Sequence, residues 1–118
     1  MIKFYKNYVT KSDSRGSMKG LINEGEWKEL NFFSTKAGQV RGDHYHKNTD
    51  ELFIILEGEI KIILTDIKSE KSKEVLVKGG DVFVIKRKIV HSFFIIKDTK
   101  WINGLSQKMD KENPDFHF

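Results

Sequence analysis

The chain has 118 residues, enough to close one core and too few for a second domain, so one domain spanning residues 1–118 is expected. Apolar residues make up 38% and aromatics 12%, which excludes a disordered chain; the net charge of +4 comes from 21 basic and 17 acidic residues, interleaved without the basic, aromatic-lined stripe that nucleic acid requires. No cysteine is present, which removes disulfides and thiolate chemistry, and neither "LFIIL" nor "SFFII" is long enough to cross a bilayer, so a cytoplasmic protein with no membrane partner is expected.

The opening "IKFYKNYV" suits an edge strand, and "WKELNFFST" and "QVRGDHYH" follow as two more. "ELFIILEGEIKIILTDI" reads as two strands reversing at Glu57–Gly58. In the second of them Ile60, Ile62 and Leu64 alternate with Lys61, Ile63 and Thr65, a period that sends one set inward. "EVLVKGGDVFVIKR" gives another pair around Gly79–Gly80, and "VHSFFIIKD" one more strand. "KSEKSKE" and "KDTK" are solvated turns; the "KRK" at Lys86–Lys88 either faces water too or meets a phosphate-bearing ligand. The tail "SQKMDKENPDFHF" is polar and irregular, with room for one helical turn and apolar ends that can pack on the body or on a second subunit. No stretch of ten residues carries a helical period, so the fold class is all-β, a sandwich or barrel.

Residues i and i+2 of a strand share a face, so His44 and His46 present two imidazoles side by side. Glu51, after the loop "KNTD", opens the next strand within reach of that pair, and His91 begins "HSFFII" forty residues later. Imidazole and carboxylate together suit a divalent metal ion (zinc, manganese, iron, nickel or copper) and leave coordination positions for water or substrate. His117, in the tail, reads as a surface or hydrogen-bonded residue, and Glu57 and Glu59 as solvated.

Gly38 to Gly58 resembles the first motif of the cupin superfamily: glycine, five residues, His-x-His, four residues, Glu, six residues, glycine. Gly38, His44, His46, Glu51 and Gly58 fill every specified position. The second cupin motif is matched at Gly80 and His91, while Lys86, Lys88 and Ile95 stand where that family has Pro, Gly and Asn. The resemblance implies a small cupin barrel, a double-stranded β-helix or jelly roll, with His44, His46, Glu51 and His91 around a metal ion. Small barrels of this kind pair through an edge strand, and apolar residues on both faces of "FIIL" and "SFFII" make a homodimer the expected assembly.

Within the cupins, "SDSRGSM" and "RGDHYH" are similar to stretches of the sugar-nucleotide 3,4-ketoisomerases and dehydrorhamnose 3,5-epimerases. The ending "NPDF" looks like the zinc cupin domain of capsular polysaccharide epimerases. These likenesses imply an isomerase or epimerase acting on a nucleotide-linked keto sugar in surface-polysaccharide biosynthesis. Such chemistry removes a proton beside a carbonyl, which requires a base and stabilisation of the enolate oxygen. In the metal-free reading the resemblance implies His44 as the base with His46 assisting; a bound metal would instead polarise the carbonyl and leave a metal-bound water or a nearby side chain to carry the proton. Arg41 and Arg15 are candidate contacts for the nucleotide diphosphate, because a guanidinium fork fits phosphate oxygens; Asp13 is the alternative partner for Arg15. The tyrosine acid that the epimerases carry on a later strand has no counterpart here, since Tyr5, Tyr8 and Tyr45 are the only tyrosines. The tyrosine-bearing strand of the ketoisomerases appears as "LNFFST", with Phe32 and Phe33. Cupins also imply two alternatives, an iron-dependent oxidoreductase and a non-catalytic small-molecule or sugar-binding module.

Overall fold

Runs of Ile, Val and Phe, broken every few residues by glycine or charged turns, fold as nine strands and no helix in the computed structural model, which describes residues 1–118. They are β1 (Ile2–Phe4), β2 (Val9–Asp13), β3 (Gly16–Gly20), β4 (Glu29–Thr35), β5 (Val40–His44), β6 (Glu51–Asp66), β7 (Ser72–Lys78), β8 (Val82–Ile85) and β9 (Ile89–Leu105). The frame is the antiparallel pair β6 and β9, matched from Glu51 opposite Leu105 to Asp66 opposite Ile89. One end of this pair continues outward through β8 to β1 and through β9 to β4. The other end carries β7 on β6 and β5 on β9. The layers share β6 and β9 and enclose a twelve-residue apolar core that includes Phe53, Ile60, Ile62, Leu64, Phe83, Phe93 and Trp101. Ile60, Ile62 and Leu64 are fully buried, as their alternation predicts. This is the expected all-β jelly-roll barrel, and no helix is long and apolar enough to cross a membrane.

Three expectations change. "ELFIILEGEIKIILTDI" does not reverse at Glu57–Gly58; it is the single strand β6, whose register against β9 slips between Ile55 and Ile60. A reversal there would have torn one half of β6 from β9, whereas a bend keeps both halves paired. The chain reverses instead after Asp66, where the Glu70 amide closes a turn on the Asp66 carbonyl at 2.8 Å. The second change is an addition: residues 9–20, given no strand pair from the sequence, form a separate hairpin of β2 and β3, exposed from Thr10 to Lys19 and paired with no other strand. The molecule measures 49 Å along its longest axis against 30 and 28 Å along the others. Third, the tail has no helical turn. The opening segment does form an edge strand, shortened to β1 and hydrogen-bonded to β8.

The turn at Lys86–Lys88 explains its departures from the cupin pattern. The Lys86 amide donates to the Met1 carbonyl at 3.3 Å, a bond that proline lacks the hydrogen to make. Lys88 adopts φ of +66°, the left-handed conformation for which the family uses glycine, and its amide donates to the His46 carbonyl at 2.7 Å. Arg87 is occupied by Asp50, which accepts from the Arg87 amide at 2.9 Å and from its guanidinium at 3.3 Å.

Candidate metal centre

His44, His46, Glu51 and His91 converge, their ligating atoms all lying within 4.8 Å of one another. Alternation along one strand does not by itself bring His44 to His91. Asp43, at φ of +64°, is the extra residue of a bulge, so that Gly42 faces Ser92 while His44 faces His91. Facing residues of an antiparallel pair point to the same side, and the bulge thereby aims His44 into the barrel. Gly42 permits the close approach: at φ of +86°, a Cβ there would stand 2.7 Å from the His91 carbonyl oxygen. Glu51 is the first residue of β6 and shares its inward face with Phe53.

A carbonyl oxygen only accepts, so His46 donates through Nδ1 to the Asp115 carbonyl and His91 donates through Nδ1 to that of Ile89. Both imidazoles then turn Nε2 toward the same atom, Glu51 Oε1, which is in close contact with His46 and 3.3 Å from His91. His46 Nε2 and Glu51 Oε1 are buried without a well-formed hydrogen bond. Two buried lone pairs aimed at each other call for a shared cation, either a proton or a metal ion. Three imidazoles and a carboxylate fit a borderline divalent ion.

The electrostatics agree. Burial raises the Glu51 pKa, but hydrogen bonds and charge from His46 and His91 outweigh it and hold the carboxyl at about 2, so the group is ionised. Burial lowers His44 to about 4, reinforced by His91 and His46, which leaves it in the neutral form that a metal requires. For His46, burial is outweighed by the Glu51 carboxylate and the Asp115 carbonyl, and its pKa is raised. That raised value is the proton alternative at the same position, and metal uptake would release it.

The centre lies in a cavity of about 290 Å³. Phe33, Phe93, Trp101 and Phe116 give it aromatic walls, and Glu29, Asn31 and Asn103 a polar one. Arg41 also lines it, its guanidinium 4.6 Å from the centre of the Phe33 ring and without an acidic partner. Arg15 is not brought there. It sits at the turn of the projecting hairpin and forms a two-point ion pair with Asp13, the alternative left open by the sequence; the hairpin belongs to a different sheet from the cavity. None of the three tyrosines lines the cavity. The sequence did not single out Asn103, Asp115 or Phe116 at the site, although "NPDF" had marked the segment that holds Asp115 and Phe116.

A family model described as the polysaccharide biosynthesis C-terminal domain matches residues 11–115. Among curated proteins, the UDP-2-acetamido-2,6-beta-L-arabino-hexul-4-ose reductase of Pseudomonas aeruginosa is 23% identical over 108 residues, covering 88% of this chain; the match spans 29% of that relative's length. Among solved structures, the WlaRB TDP-quinovose 3,4-ketoisomerase of Campylobacter jejuni is similar with a TM-score of 0.82 at 23% identity, over 98% of this chain and 91% of its own. The capsular polysaccharide assembling protein CapF of Staphylococcus aureus gives 0.71 at 24% identity, over 93% of this chain and 33% of its own. The fold shared with them is the cupin barrel.

Proposed function

The chain belongs to the polysaccharide biosynthesis C-terminal domain family, and from that premise we propose that it acts in the cytoplasm as a metal-binding isomerase or epimerase of a nucleotide-linked keto sugar in surface-polysaccharide biosynthesis. The observation that carries the reading is a three-histidine, one-glutamate centre at the side of an aromatic-walled cavity, with an unpaired arginine among the lining residues. The activities of similar proteins, a TDP-sugar ketoisomerase and a nucleotide-sugar reductase, support the substrate class.

His44, His46, Glu51 and His91 would hold the ion. When bound, it supplies Lewis-acid polarisation of the substrate carbonyl. His44 is the one member of the set that is only half-buried, so it faces the substrate, and in the metal-free form of the site its neutral imidazole is the base that accepts the proton from the carbon beside the carbonyl. His46 lies at its side, the two ring centres being 4.9 Å apart, and assists in that metal-free form, where no ion occupies its Nε2. Arg41, its guanidinium over the Phe33 ring, presents its free donors to the diphosphate, and the aromatic walls exclude water from the reacting carbons.

The test is incubation with nucleotide-linked 4-keto-6-deoxy sugars in deuterated water. Label at carbon 3 or 5 is expected, and Arg41→Ala should raise KM about tenfold with little change in kcat. Absence of exchange on every sugar, with metal fully loaded, would overturn the reading. The lack of a tyrosine in the cavity favours, as the second reading, a sugar-binding cupin without catalysis, and that outcome would select it.

The assembly we propose is a homodimer. Hairpin β2–β3 projects with no sheet to support it, and a two-stranded hairpin alone is at best marginally stable in water. Leu30 and Phe32 are exposed on edge strand β4. Light scattering should give twice the 13.8 kDa chain mass; the mass of one chain would refute it.

A further inference from the structure

We infer that the segment Met109–His117 is a strap that fixes the metal centre from two sides, with Asp115 and Asn103 as positioning residues; the inference rests on the metal reading above.

On one side the Met109 amide donates to Glu29 Oε1 at 3.1 Å, and Glu29 Oε2 accepts from Asn31 Nδ2 at 3.0 Å. The same Asn31 nitrogen lies 3.3 Å from Asn103 Oδ1, and Asn103 Nδ2 donates to Glu51 Oε2 at 2.7 Å. Asn31 and Asn103 face each other across β4 and β9, so the sheet register aligns this relay from strap to ligand. Because Asn103 holds Oε2, the other carboxylate oxygen is left to face His46 and His91.

On the other side the Asp115 carbonyl accepts the His46 Nδ1 proton, which fixes the tautomer that directs Nε2 inward. Its carboxylate gathers the loop between two ligands, accepting from the Lys47 amide at 3.0 Å, the Asn48 amide at 2.8 Å and the Thr49 hydroxyl at 3.0 Å. His117 locks the end of the strap by exchanging two backbone hydrogen bonds with Tyr45, at 2.9 and 3.0 Å. Between these anchors, the Phe116 ring lies 4.7 Å from that of His44 and 5.2 Å from that of His46. Partners of this kind set ligand orientation, and their loss weakens metal binding without removing any ligand.

The experiment measures zinc affinity by competition with a chromophoric chelator, together with the visible spectrum of the cobalt-substituted protein, on the full chain. Asp115→Ala and Asn103→Leu should each lower zinc affinity by about 10- to 100-fold and alter the cobalt bands. Asp115→Asn, which keeps one side-chain acceptor oxygen for the loop, should fall between Asp115→Ala and the parent; it carries the test if the alanine variant fails to fold. A folded Asp115→Ala protein that binds zinc as tightly as the parent, with the same cobalt spectrum, would overturn the strap and leave the metal reading standing. A parent protein that takes up no zinc or cobalt would overturn both.

Discussion

Glu51→Gln is expected to lower zinc affinity by more than about 100-fold, beyond the cost usual for an outer-shell partner, while the barrel stays folded. Glutamine has nearly the shape of glutamate, and its carbonyl oxygen can still accept the 2.7 Å hydrogen bond from Asn103. Its amide nitrogen then faces His46 and His91, where it donates to the Nε2 lone pairs that otherwise need a cation. The substitution thus replaces a buried carboxylate by a neutral group able to satisfy its neighbours without metal, and an amide is a poor ligand for a borderline ion. After zinc loading and dialysis, the metal retained per chain should fall to a small fraction of the parent's, and deuterium exchange into the keto sugar should fall with it. Zinc retained at parental affinity would remove Glu51 from the ligand set.

Gly58→Ala should cost about 3 to 5 kcal/mol of stability, a large share of what a domain this size possesses. Two effects combine. The backbone at residue 58 has φ of +116°, which a side chain disfavours, and the new Cβ would fall 2.2 Å from Thr99 Oγ1 and 2.6 Å from Thr99 Cα. The second contact is with backbone, so no rotamer change relieves it. Either the β6 bend opens or β9 moves away, and both disturb the same long pair of strands. The urea midpoint reports the loss, and a change below about 1 kcal/mol would show that the bend tolerates a side chain.

The cluster of three histidines and a glutamate was legible because three of its members lie within eight residues of one another, and strand alternation orders them almost correctly. His91 was legible through its place in the second cupin motif. What alternation missed was the bulge at Asp43, since nothing in "RGDHYH" distinguishes a regular strand from one with an extra residue. The bend at Gly58 was misread for a similar reason: Glu-Gly suits a reversal and a bend equally, and the choice was made by β9, some forty residues away. Arg15 was drawn toward a phosphate by its charge, but a carboxylate two residues away on the same hairpin is the nearer partner. The strap was hidden because its contacts join residues about seventy to eighty apart, such as Asp115 with His46 and Met109 with Glu29, and no local pattern encodes them.

The length of the β6–β9 pairing also sets the order of events in folding. Glu51 meets Leu105 only after the chain between them has closed into a loop, and His91 enters the centre only as β9 docks on β6. Contacts this distant in sequence form slowly, so before β9 arrives the chain offers a metal ion at most His44, His46 and Glu51. Zinc should therefore act on the native side of the folding barrier, slowing unfolding far more than it speeds folding, and the ion would prolong the life of the barrel without helping to build it.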